Sequence, residues 1–151
     1  MNENKISQRR QSRIKVLCAL YNSEIGHTGI ENALINFTEC GEYEPSVGDY
    51  ADILANGVMD KSDELDDIIG EHLKIDWVVE RLTVIDRIIL KMAVYEMRYS
   101  DDVPVAVAIN EAVELAKEYS TEESPKFING VLGSLVKNNG HIADYSDQPN
   151  G

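Results

Sequence analysis

Cysteine, proline and aromatic residues are all scarce in this chain of 151 residues. The two cysteines, Cys18 and Cys40, are too few for a disulfide framework and form no CxxC motif. We therefore interpret them as small buried or half-buried apolar side chains. Four prolines and 7% aromatic residues disfavour a β-sandwich or β-barrel, because those folds need many strands and turns.

Long apolar runs, metal-ligand clusters and catalytic motifs are also missing from the sequence. No apolar run approaches the roughly 18 residues of a membrane span, and no secretory hydrophobic segment follows the cationic N-terminus. His27, His72 and His141 pair with no cysteine or carboxylate at metal-ligand spacing. GxSxG, HExxH and phosphate-loop motifs do not occur. We therefore expect a cytoplasmic protein that is not an enzyme, has no membrane segment, and needs no cofactor or metal.

Charge is unevenly distributed along the chain. The formal net charge is −13, yet residues 1–15 carry five cations and one acid, whereas residues 16–151 carry nine cations and 26 acids. A strongly acidic body repels polyanions, but a small basic end can still attract a short, specific nucleic-acid segment. The alternative is a solvated helix start that binds nothing.

Apolar residues recur at helical spacing from one end of the sequence to the other. The spacing predicts helices from Ser7 to about Asn22, from Ile30 to Cys40, from near Val47 onward as one long helix, and over 83–99, 104–119 and 124–137, with a short helix or turn over 76–82. Ser7, Thr83 and Ser124 are the predicted N-terminal caps, and a turn is predicted at Gly26–Gly29.

The 83–99 helix has the widest apolar stripe and is expected to be the central core element, while Tyr50 and Val107 lie on the apolar faces of their helices. Gly130 lies inside the last apolar stripe, where we expect it to allow close approach of another helix. The long third helix includes an acidic run over residues 63–67, which is either a solvated face or a partner surface.

Three arginines mark the start of the first predicted helix. Arg9, Arg10 and Arg13 fall in its first two turns, where cations oppose the helix dipole. A local mismatch of this kind indicates a functional use.

Four groups of residues, in this order and spacing, carry a resemblance to a known family. They are Arg9-Arg10 with Arg13 and Ala19-Leu20-Tyr21; Trp77 to Leu82 with Asp86-Arg87 and Leu90 to Glu96; Val103-Pro104 with INEAVELAK at 109–117; and KFINGVL at 126–132. From about Arg9 to Leu135 the chain resembles the NusB family of bacterial transcription antitermination factors. The resemblance implies an all-α fold of about seven helices in two small packed bundles, over residues 1–76 and 77–138, with a disordered tail over 139–151.

The same resemblance implies an RNA-binding function without catalysis. Such a protein, together with its partner NusE, a protein of the small ribosomal subunit, binds the boxA RNA of nascent ribosomal RNA transcripts. It then joins RNA polymerase and other Nus factors in the elongation complex and suppresses termination. Two alternatives stay open: a NusB-like protein-interaction or RNA-binding module without an antitermination role, and the NusB-like domain of ribosomal RNA cytosine methyltransferases, for whose catalytic domain this chain is too short.

The family's functional residues are expected at eight positions. The RNA-binding set that the resemblance implies is Arg9, Arg10, Arg13, Lys126 and Phe127, and the partner-binding set is Tyr21, Glu80 and Asp86. Gln11 stands where many relatives have a third adjacent arginine, so one RNA contact is expected to be missing. Phe127 is alternatively a core residue, and Asp86 alternatively supports only the start of its helix. Asn110 and Glu111 are expected to be structural.

Overall fold

The computed structural model describes residues 2–39, 45–73 and 82–138. Within these ranges all regular secondary structure is helical and no strand occurs, which confirms the predicted fold class. The helices are α1 (Asn2–Gly26), α2 (Ile30–Glu39), α3 (Pro45–Asp60), α4 (Ser62–Glu71), α5 (Val84–Tyr99), α6 (Val105–Tyr119) and α7 (Ser124–Asn138).

The chain divides into two compact units, residues 1–60 with α1 to α3 and residues 61–151 with α4 to α7. The boundary that the sequence suggests, between residues 76 and 77, lies outside the described residues and stays a prediction. Cys40, most of the short helix predicted over 76–82, and the tail at 139–151 lie outside them too.

In the first unit, α1 packs against both α2 and α3. The apolar side chains buried there are Val16, Leu17, Ala19, Leu20, Ala33, Leu34, Tyr50, Ala51, Leu54, Ala55 and Val58. The left-handed backbone of His27, with φ of 56°, follows the end of α1 in the turn that the sequence predicts at Gly26–Gly29. Helices commonly end at a residue in this conformation.

The first helix starts earlier than the sequence suggests. It begins at Asn2, five residues before Ser7, so the prediction that Ser7 caps it is wrong. Residues 2–6 contain no glycine or proline that would stop the helix from extending backward. Because Arg9 and Arg10 then lie beyond the first turn, the dipole argument for their functional use no longer applies.

In the second unit, α5 is the central element, as predicted. It is buried along most of its length and packs against α4, α6 and α7. Its buried apolar residues are Ile88, Ile89, Leu90, Met92, Ala93, Val94 and Met97. The charged side chains of Asp86, Lys91 and Glu96 are buried with them. At its start, the Oγ1 of Thr83 accepts a hydrogen bond from the Asp86 backbone N–H at 3.1 Å, which confirms the predicted Thr83 cap.

The predicted long third helix is in fact two helices that break at Lys61. Asp60, Ser62 and Asp63 favour helix ends over helix interiors, because their short polar side chains compete for backbone hydrogen bonds. The break releases α4 to pack against α5 within the second unit.

Candidate functional site

The three arginines of α1 lie in three different environments. Arg10 is exposed to solvent, Arg9 is half-buried, and Arg13 is only 4% exposed. At about 100° per residue the three positions share an arc of about 100°, with Arg13 between Arg9 and Arg10, so their different exposure comes from the neighbouring helices and not from the spacing. Of the three arginines, Arg10 is therefore the one most open to solvent, and Arg13 is buried.

The Arg9 guanidinium is held against an aromatic ring. Its central carbon lies 3.8 Å from the centroid of the Tyr50 ring in α3. A guanidinium stacked on an aromatic face gains electrostatic attraction and keeps a fixed plane. The sequence places Tyr50 on the apolar face of its helix, and its burial confirms that position. The contact of Tyr50 with Arg9 could not be predicted from the sequence, because about forty positions separate the two residues.

The start of α7 places the second group of predicted RNA-binding residues. Lys126 is exposed, whereas Phe127 is half-buried. Phe127 thus lies between the two predicted alternatives, core residue and RNA contact, and its role stays a prediction.

An open groove runs between α6 and α7 next to Lys126. Its lining consists of Ala106, Ile109, Asn110 and Val113 from α6 and Pro125, Lys126 and Asn129 from α7. Asn110, which we expected to be structural, is exposed at this groove, whereas Glu111 is buried. Asn129 belongs to the KFINGVL segment that carries the resemblance, but no functional role was predicted for it from the sequence.

Asp86 lies in a buried hydrogen-bond network. It is 7% exposed, and its carboxylate accepts hydrogen bonds from the hydroxyls of Ser120 at 2.6 Å and Ser124 at 2.9 Å. The Thr121 hydroxyl lies 2.8 Å from that of Ser124. The network fastens the start of α5 to the connection between α6 and α7, which matches the structural alternative for Asp86.

The other two predicted partner residues are Tyr21, which the structure describes, and Glu80, which it does not. Tyr21 is 40% exposed on α1, as a partner contact requires. Glu80 lies outside the described residues. The three predicted partner residues therefore stay a prediction, with Tyr21 the one on an open surface.

The described part of the chain holds no group of three or more histidine, cysteine or acidic residues placed to bind a metal ion. None of its helices is long and apolar enough to cross a membrane. Cys18 is half-buried, and this burial raises the pKa of its thiol.

Comparison with known proteins gives consistent results. The sequence matches the NusB family over residues 7–137. It is 41% identical to the transcription antitermination protein NusB of Listeria monocytogenes over 129 residues, which are 85% of this chain and 96% of that protein. The structure resembles NusB of T. maritima with a TM-score of 0.81 and 33% identity, covering 93% of this chain and 97% of that one.

A further solved structure shares the fold. It is a complex of the antitermination factors NusB and NusE with double-stranded RNA, and it matches with a TM-score of 0.78 and 24% identity over 87% of this chain and 98% of that chain. The family match covers most of the sequence and agrees with the order and packing of the helices. This chain belongs to the NusB family.

Proposed function

We propose that this protein is an RNA-binding transcription antitermination factor. Together with NusE it binds the boxA RNA of nascent ribosomal RNA transcripts, joins RNA polymerase and other Nus factors, and helps the polymerase resist termination. The observation that carries this proposal is the family match over residues 7–137, with relatives described as antitermination proteins. This role is carried out in the cytoplasm and involves no catalysis.

In this proposal each unit contributes its own RNA contacts, Arg9 and Arg10 in the first unit and the start of α7 in the second. Arg10 and Lys126 are exposed cations suited to direct phosphate contacts, and Tyr50 orients Arg9. Arg13 is buried, so its contribution is to support α1 rather than to reach phosphate from its present position. Phe127 offers a partly exposed ring on which a base can stack.

The partner surface in this proposal is acidic and aromatic. The chain outside residues 1–15 carries 26 acids against nine cations, which suits a basic partner that also binds RNA. Tyr21 supplies an exposed aromatic contact on α1. NusE then adds positive surface next to a body that alone repels RNA, so we expect the pair to bind RNA more tightly than this chain does alone.

A fluorescence titration of labelled boxA RNA, with and without NusE, tests the proposal. We expect binding that strengthens when NusE is present and that falls in the Arg10→Ala and Lys126→Ala variants. Each lost phosphate contact should reduce the slope of log affinity against log salt by about 0.7. Lys137→Ala is the matched control, since Lys137 is an exposed cation at the far end of α7. Absence of boxA binding both with and without NusE would refute the proposal and favour a protein-interaction module.

A further inference from the structure

The groove between α6 and α7 has an apolar floor and polar margins. Ile109 and Val113, four residues apart, lie on the same side of α6, and Pro125 adds apolar surface from α7. Asn110 and Asn129 contribute one carboxamide from each helix, and both residues are exposed. Lys126 lies beside them in the first turn of α7. A flat apolar group with a polar edge and a nearby negative charge would satisfy all these features.

The charge of the groove is unusual for this chain. The protein carries 27 acids, yet among the residues that line the groove Lys126 is charged and no carboxylate is present. The acids Glu122 and Glu123 precede α7 and do not line the groove. The start of α7 also carries the partial positive charge of a helix N-terminus. An anion is therefore tolerated here, on a protein whose net charge of −13 repels anions in general.

We infer that this groove binds one unstacked base of single-stranded RNA, a deepening that rests on the proposed function. The apolar floor contacts the face of the base. The carboxamides of Asn110 and Asn129 donate to and accept from its polar edge, and Lys126 binds the adjoining phosphate. Single-stranded RNA is commonly recognised in this manner, with splayed bases held by their faces and edges. A carboxamide can meet a base edge with a donor and an acceptor at once.

An apolar peptide is a poorer occupant of the same groove. It would cover the two carboxamides without offering partners for them, and covering an unsatisfied polar group opposes binding. It would also leave the charge of Lys126 unused. The combination of two amides and a cation around an apolar floor therefore favours a nucleotide.

The test combines protein variants with altered RNA. In the Asn110→Ala/Asn129→Ala double variant, we expect boxA RNA affinity to fall about tenfold, in the range of a lost base-edge contact. The salt slope should stay that of the wild type, because no phosphate contact is lost. Asn32→Ala, which removes an exposed carboxamide from α2, is the matched control and should bind like the wild type.

An abasic scan of the RNA identifies the base. Removing one base at a time should reveal a position whose loss weakens wild-type binding by a similar factor but leaves the double variant unaffected. Ala106→Leu, which narrows the groove without changing its amides, should give the same insensitivity. The inference would be overturned if base removal weakened the double variant as much as the wild type at every RNA position. Wild-type affinity in the double variant would also overturn it. The same conclusion would follow if the groove variants bound NusE more weakly but kept their affinity for RNA.

The two proposals fail in different ways. If the wild type binds no boxA RNA, the proposed function is wrong. If the wild type binds boxA RNA and the groove variants bind it equally well, only the groove inference is wrong.

Discussion

At the scale of single residues, the Asp86 carboxylate is the acceptor for two serine hydroxyls. Both of its oxygens are used, one by Ser120 and the other by Ser124. Thr83 caps the same helix turn from the other side. A buried carboxylate whose oxygens are satisfied stabilises the fold, whereas its removal leaves buried donors without an acceptor.

Replacing Asp86 therefore distinguishes a structural role from a role in partner binding. We expect Asp86→Ala to lower the free energy of unfolding by about 1–3 kcal/mol, because the buried Ser124 hydroxyl and the half-buried Ser120 hydroxyl lose their acceptor. Asp86→Asn keeps one acceptor oxygen and should cost less. Urea unfolding measures both, with Asp101→Ala, an exposed acid in the α5–α6 connection, as the control expected to change little. Unchanged stability together with weaker NusE binding would instead make Asp86 a direct partner contact.

Tyr50 is the second residue whose role can be isolated. Tyr50→Leu keeps an apolar side chain but removes the aromatic face beneath Arg9, so we expect RNA affinity to fall severalfold as the guanidinium loses its fixed position. Tyr50→Phe keeps the face and should retain RNA affinity. The comparison is made by RNA titration at constant salt on variants shown to be folded. Equal affinity of the Leu and Phe variants would show that the stack does not support RNA binding.

At the scale of elements, α7 carries two glycines that packing does not require. A Cβ added at Gly130 or Gly133 would meet no heavy atom within 4 Å, so the expectation that Gly130 allows close helix approach is wrong for the described residues. Glycine inside a helix costs about 0.5–1 kcal/mol relative to alanine.

Alanine at Gly130 should therefore stabilise the protein. We expect Gly130→Ala to raise the free energy of unfolding by about 0.5–1 kcal/mol, since the added methyl group enters open space and the unfolded chain loses freedom. Chemical denaturation measures the change. Gly26→Ala is the comparison, because a Cβ there would lie 3.2 Å from the Asn22 Oδ1. We therefore expect this variant to gain less stability than Gly130→Ala. A loss of stability in Gly130→Ala would mean that α7 packs against something at this position.

The acidic run of α4, over residues 63–67, was predicted to be either a solvated face or a partner surface. Glu64 pairs with Arg98 of α5 at 3.5 Å and accepts a hydrogen bond from the Tyr99 hydroxyl, and Lys91 lies 3.4 Å from Asp66. Asp63 and Asp67 are exposed. The run is therefore partly a solvated face and partly the side by which α4 is fastened to α5, a possibility that the sequence pattern did not raise.

The elements that sequence reasoning located best are those with a strong apolar stripe and clear end signals. Helices α5 and α7 begin where Thr83 and Ser124 indicate, although the Ser124 hydroxyl donates to Asp86 instead of acting as a simple cap. Val107 was placed on the inner face of α6, yet it is 43% exposed. Apolar character alone does not show which edge of a stripe faces a neighbour.

The candidate site could be predicted only in part from the sequence. The exposed positions of Arg10, Tyr21 and Lys126 agree with roles that the family resemblance implied. The burial of Arg13 and the groove at Asn110 and Asn129 depend on how distant helices pack, which periodicity within one helix does not encode.

At the scale of the whole molecule, an acidic body with a few exposed cations suits an adaptor. Its net charge of −13 opposes non-specific RNA binding, so affinity must come from a small number of positioned groups and from a partner. This arrangement favours selectivity over strength, as expected of a factor that must ignore most transcripts.

A transcription assay tests the antitermination function most directly. RNA polymerase is combined with NusE and the other Nus factors on a template that carries boxA upstream of a terminator, and full-length transcript is measured with and without this protein. We predict that the protein increases read-through on the boxA template and has no effect when boxA is scrambled. Unchanged read-through on the boxA template, with the protein folded and the polymerase active, would contradict the account.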